Sequence, residues 1–257
     1  AASLALCSAA VAPSLVMGAT VKGKVAGTQD LLNPVWNEAK APDAHRYTFR
    51  EPAASVPADL RVLRGHLSKE LAIVVLTEQK AEKKSKPLRV TIEGGRTFPV
   101  TVVVPEGQEI LFENNDPTDH AIYDVDGKGG LGRGTMKPET TRTWTPPGPG
   151  TYEIRDELSP SVRSWVVVEP HAAMTVYPTR RGDFDVMNLD PGTYKLRAYH
   201  NGQLVGEELE FAIPTQNPPE LPLKEPLKAG TVKTPEGEKK DDPKAPPKPG
   251  QPAAGGG

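Results

Sequence analysis

Few side chains in this 257-residue chain are suited to chemistry: one cysteine, Cys7, and five histidines at positions 45, 66, 120, 171 and 200. A disulfide needs two cysteines and a structural zinc site usually several, whereas a blue-copper centre needs one thiolate beside its imidazoles. The cysteine count leaves only the last open, and the location of Cys7 decides it. The histidines show no HxH, HxxxH or HExxH pairing, which argues against a zinc hydrolase. No GxSxG elbow, P-loop or dinucleotide fingerprint occurs, and no nucleophile, base and oxyanion donor can be assembled, so the chain reads as non-enzymatic. Three further motifs are weak. Asp124-x-Asp126-Gly127 is a fragment of a calcium loop without its third acidic position, and Asp-Gly sequences make turns. Arg181-Gly182-Asp183 falls at a hairpin, where glycine supplies the turn. Residues 127–134 (GKGGLGRG) are glycine-rich and basic, but Met136-Lys137-Pro138 follows where a phosphate loop would start its helix.

These residues must be held by strands. Cys7 itself lies in AASLALCSAAVAPSLVMGAT, with no charge before Lys22, and residues 1–19 read as a signal-peptide remnant. On that reading the mature chain has no cysteine and is periplasmic, secreted or on the cell surface. With 31 basic against 33 acidic residues the net charge is −2, which argues against nucleic acid as a partner. No later apolar run reaches the ~18 residues of a membrane span. Residues 20–87 read as an N-terminal β segment packing with the sandwich: VKGKV alternates, Arg46 to Arg50 suits an edge strand, and Leu71-Ala72-Ile73-Val74-Val75-Leu76 suits a buried one. From Leu88 to residue 170, short strands punctuated by Gly and Pro predict an antiparallel sandwich. Residues 171–213 form a small accessory β unit with turns at Asp190-Pro191-Gly192 and Asn201-Gly202. Residues 214–257, rich in Pro and Lys and without aromatics, predict a disordered tail.

The stretch TFPVTVVVPEGQEILFENNDPTDH at 97–120, the Pro149-Gly150 turn, SWVVV at 164–168 and DPGTYKLRAYH at 190–200 resemble bacterial secreted cupredoxin-like proteins. The resemblance is to the plastocyanin or methylamine-utilisation type with a carboxypeptidase-regulatory-like β unit, and it covers roughly residues 19–213. It implies an all-β fold: a cupredoxin-like antiparallel sandwich, a small accessory β unit and a disordered C-terminal tail. It also implies copper, held by one His and then by Cys, His and Met on the last loop. His120 matches the first ligand, but the register places Asp156, Ser159 and Val162 at the other three positions. Asp156 supplies no thiolate, Ser159 no imidazole and Val162 no thioether, so the activity is not carried over.

The expectation is therefore a non-catalytic interaction or structural protein that has lost its type 1 site and needs no cofactor. Its partner would be another envelope or secreted protein, in whose assembly it is a component. His120 and Asp156 are the remnant positions, with Asp119 or Glu157 as neighbours of a mixed nitrogen and oxygen site. Arg155, Asp156 and Glu157 read as an exposed ion-pair cluster. The contact candidates are Lys128, Arg133, His120, Arg155, Asp156 and Glu157, on a flexible loop and rim at one end of the sandwich. The rival reading is a copper-binding or electron-transfer protein with an atypical site at His120.

Overall fold

A computed structural model describes residues 18–28, 31, 63, 65, 67–216 and 218–230. Cys7, the expected leader up to residue 17, the expected strand at Arg46 to Arg50, His45, His66 and the tail beyond 230 lie outside the described residues. Apart from one helical turn, α1 (Leu67–Glu70), the described elements are strands.

Eight strands build the sandwich expected over residues 88–170. One sheet orders β4 (Arg96–Phe98), β3 (Leu88–Glu93), β6 (Ile110–Asn114) and β8 (Thr141–Trp144). The other orders β5 (Thr101–Val104), β10 (Arg163–Val168), β9 (Gly150–Asp156) and β7 (Ile122–Asp124). Pairing is antiparallel except at β3 with β6 and β5 with β10, which run parallel. Alternation along each strand turns one face inward, so Val90, Ile92, Ile110 and Phe112 meet Val102, Ile122, Ile154 and Val166 in one core.

The N-terminal strands, expected to pack with this sandwich, are hydrogen-bonded into the sheets of the other unit. Around β1 (Ala19–Ala26) the sheet orders β12 (Asp183–Leu189), β1 and β15 (Glu220–Pro222), with β16 (Leu227–Lys228) also on β1. The facing sheet orders β11 (Ala172–Val176), β2 (Leu71–Leu76), β13 (Gly192–His200) and β14 (Gln203–Ile213). About 43 residues after position 171 are too few for an independent core, and β1 and β2 supply the missing strands. Order also continues past Pro214: β15 and β16 pair in parallel with β1, and Leu227 is fully buried. The gain is apolar burial at Leu227, Leu221 and Leu223, which composition averaged over the whole tail conceals.

All six residues of β2 are buried. Leu71, Ile73 and Val75 face the core of their own unit, while Ala72, Val74 and Leu76 pack with Val103, Val167, Ala172 and Tyr199 between the two units. A strand covered on both faces reads as a continuous apolar run, as β2 does. Side chains cap the edge of β5 at this junction: Thr175 donates to the Val103 carbonyl at 2.8 Å and Tyr177 to the Thr101 carbonyl at 2.8 Å.

Candidate functional site

His120 lies at one end of the first sandwich, in the loop between β6 and β7, and pairs its backbone with Met136 in an isolated bridge. Asn114 at the end of β6 shapes this loop. Its amide donates to the carbonyls of Thr118 and Met136, and its side-chain oxygen accepts from the Asp116 N–H at 2.9 Å. Asp116 then reaches back to the β3–β4 turn, where Gly94 and Gly95, at φ of 60° and 69°, present their N–H groups to its two oxygens at 2.6 and 2.9 Å. Both φ values are ones that glycine adopts without strain.

The imidazole of His120 is completely buried. Its Nε2 stands 3.1 Å from Asp116 Oδ2 and its Nδ1 3.1 Å from Asp156 Oδ2. Asp156, the last residue of β9, is itself 4% exposed. Its Oδ2 also accepts the Ala121 N–H at 2.9 Å, and its Oδ1 accepts the N–H groups of Leu158 and Ser159, each at 2.7 Å. Three chain segments, at 94–95, 114–121 and 156–159, are thereby fastened to one imidazole and two carboxylates. Burial disfavours the charged form of Asp116, but the N–H groups of Gly95 and Gly94, together with His120, outweigh it and hold this carboxyl below its ordinary value.

The exposed ion-pair cluster expected at Arg155, Asp156 and Glu157 does not form at Asp156. Tyr152, Ile154 and Asp156 alternate along β9, and the inward phase carries Asp156 into the interior. That alternation is the signal that would have found it. Arg155 pairs with Glu153 at 2.6 Å and Glu157 with Arg133 at 3.4 Å, both toward solvent. His120 and Asp156, being buried, are not surface contact residues, whereas Lys128, Arg133 and Glu157 are exposed and Arg155 is half-buried. Asp119 is exposed and Asp116, missed in the sequence, takes its place beside His120. Val162 is buried in the sandwich core.

The glycine-rich loop is tied down at several points. Trp144 Nε1 donates to the Gly129 carbonyl at 2.8 Å, and Asp124 Oδ2 accepts the Gly129 N–H. Arg142 donates to the carbonyls of Ile122, Gly132 and Gly134. Burial lowers the pKa of this guanidinium. Arg133 lies over the Tyr123 ring at 4.6 Å and joins the loop to the rim.

No family model matches the chain, and no curated protein matches it. Among solved structures it is similar to a reduced amicyanin mutant, at 24% identity over 38% of this chain and 98% of that one, with a TM-score of 0.30. A Cu(I) amicyanin mutant aligns at 25% identity over the same shares, with a TM-score of 0.30. A purple cupredoxin from Nitrosopumilus maritimus aligns at 18% identity over 32% of this chain and 99% of that one, with a TM-score of 0.29. Among the described residues the fold is almost entirely β, in four four-stranded sheets.

Proposed function

We propose that this is a non-catalytic interaction or structural protein of the cell envelope or extracellular space, built on a cupredoxin-like sandwich without a type 1 copper centre. Its second unit would act as a carboxypeptidase-regulatory-like accessory module. The observation that supports this reading is the commitment of His120: both ring nitrogens face carboxylates at 3.1 Å inside a fully buried site. A type 1 ion is held by a thiolate, imidazoles and a weak thioether. At the corresponding positions Asp156 is taken up by the imidazole and three backbone N–H groups, and Val162 packs in the core. These residues do not fit that ion.

A hydrogen-bonded bridge then does what the metal would do mechanically, fastening the last loop to the first. The surface left for recognition at this end carries Lys128, Arg133, Arg155 and Glu157, beside exposed Leu158. Its partner in this reading is another envelope or secreted protein.

Adding copper to the purified chain should give no blue absorption band and no saturable heat. A blue band bleached by reductant would overturn the proposal in favour of electron transfer. Cross-linking in envelope extracts should join the chain to a defined protein, and deletion of residues 127–134 should abolish that adduct. An adduct unaffected by the deletion would place the contact surface elsewhere.

A further inference from the structure

We propose that the loop of residues 124–132 is a weak calcium site, with Asp124 Oδ1 and the Asp126 carboxylate as its anionic donors. As a motif, Asp-x-Asp-Gly points to a turn. The structure adds a buried carboxylate oxygen with nothing to bond. Asp124 is 5% exposed; its Oδ2 accepts the Gly129 N–H, while Oδ1 has no hydrogen-bond partner among the described residues. Asp124 lines a surface pocket of about 360 Å³ together with Asp126, Gly127, Gly130 and Arg133. A buried carboxylate oxygen left without a donor is costly, and such atoms commonly mark a bound water or ion.

The spacing suggests an ion. With Asp124 at the first position of a twelve-residue calcium loop, Asp126 is third, Gly129 sixth and Gly130 seventh, the positions of two carboxylates, the obligatory glycine and a carbonyl ligand. Gly129 is needed for close packing, since a Cβ there would lie 2.7 Å from the Trp144 ring and 2.9 Å from Tyr152, while the positive φ values of this loop fall at Gly127 and Gly130. Two positions depart from the pattern, Lys128 at the fifth and Thr135 at the twelfth. Lys128 Nζ stands 4.0 Å from Asp126 Oδ2 and must swing aside when the ion binds. Among the described residues no group of three or more His, Cys, Asp or Glu is placed to hold a metal, so carbonyls and water must complete the shell. Two carboxylates and an adaptable glycine loop suit calcium, which tolerates irregular oxygen shells, better than magnesium, which demands a near-ideal octahedron. The expected affinity is that of extracellular modules, about 10⁻⁴–10⁻³ M.

The test uses the full chain stripped with chelator, titrated calorimetrically with calcium and, separately, with terbium read by luminescence sensitised through Trp144. Saturable binding of one ion in that affinity range is expected. Asp126→Asn, at an exposed side chain whose loss leaves the fold intact by circular dichroism, should weaken it about tenfold or more, and Lys128→Asp should tighten it about tenfold, because ligand charge sets affinity. No saturable calcium binding below about 10 mM, or Asp126→Asn binding as the parent does, would overturn the site. Equal affinity for magnesium would overturn the assignment to calcium, and no gain from Lys128→Asp would overturn the register.

Discussion

Each ring nitrogen of His120 faces a carboxylate oxygen at 3.1 Å inside a buried site. Removing one carboxylate leaves a buried imidazole nitrogen without its partner. Asp156→Ala strands His120 Nδ1 and the N–H groups of Ala121, Leu158 and Ser159, and should cost about 3–5 kcal/mol in urea unfolding, the range for breaking a buried pair. Asp116 gives this region a pH dependence of definite sign. Its folded pKa lies below its ordinary value, so on acidification the unfolded chain takes up the proton first. The contribution is complete above the unfolded carboxylate value of about 3.9 and is lost as pH falls through the lower folded value. Asp116→Asn should flatten the acid limb of stability against pH while leaving the neutral limb parallel to the parent's. An unchanged acid limb would show that another carboxylate governs it. His120 and Asp156 were legible as positions that could converge, but their burial was not, and Asp116 was not legible at all, because its role depends on two glycine N–H groups 21 and 22 residues away.

Strand identity was largely readable, and strand partnership was not. Alternation and β-branched runs mark β2, β5, β6, β9 and β10, because each strand reports which of its faces is buried. They carry no information about which sheet covers that face. For that reason the sequence does not show that β1 and β2 belong to the sheets of the second unit, with only the Ala72, Val74 and Leu76 side of β2 packing on the first. The pairing of β15 and β16 with β1 is hidden for a related reason: proline and lysine dominate the composition of residues 214–257, while Leu227 is buried. Gly206 shows how closely β16 approaches. At φ of 69°, its added Cβ would lie 1.7 Å from the Lys228 carbonyl oxygen. Gly206→Ala should therefore push β16 away and destabilise the second unit by about 1–3 kcal/mol or more, read by thermal unfolding. Leu227→Ala, which empties a fully buried position on β16, should cost about 2–5 kcal/mol.

The two sandwiches share side chains and so should not unfold separately. Tyr199 packs between them and reaches Glu169 at 3.3 Å, Arg197 bonds the same carboxylate at 3.2 Å, and the Asn201 N–H donates to Thr101 Oγ1 at 3.0 Å. Tryptophan fluorescence of a Trp36→Phe variant, which retains Trp144 and Trp165 in the first unit, should follow the same denaturant curve as far-ultraviolet circular dichroism, which reports both. Two resolved midpoints would mean that the junction is too weak to couple them. β1 lies beside β15 and β16 and runs in the same direction, with Val21 opposite Leu221 and Val25 opposite Leu227. Tension applied at the N-terminal end of β1 and the C-terminal end of β16 would slide these strands lengthwise past each other. Their hydrogen bonds would then share the load together instead of opening one after another, making this seam a clamp against stretching.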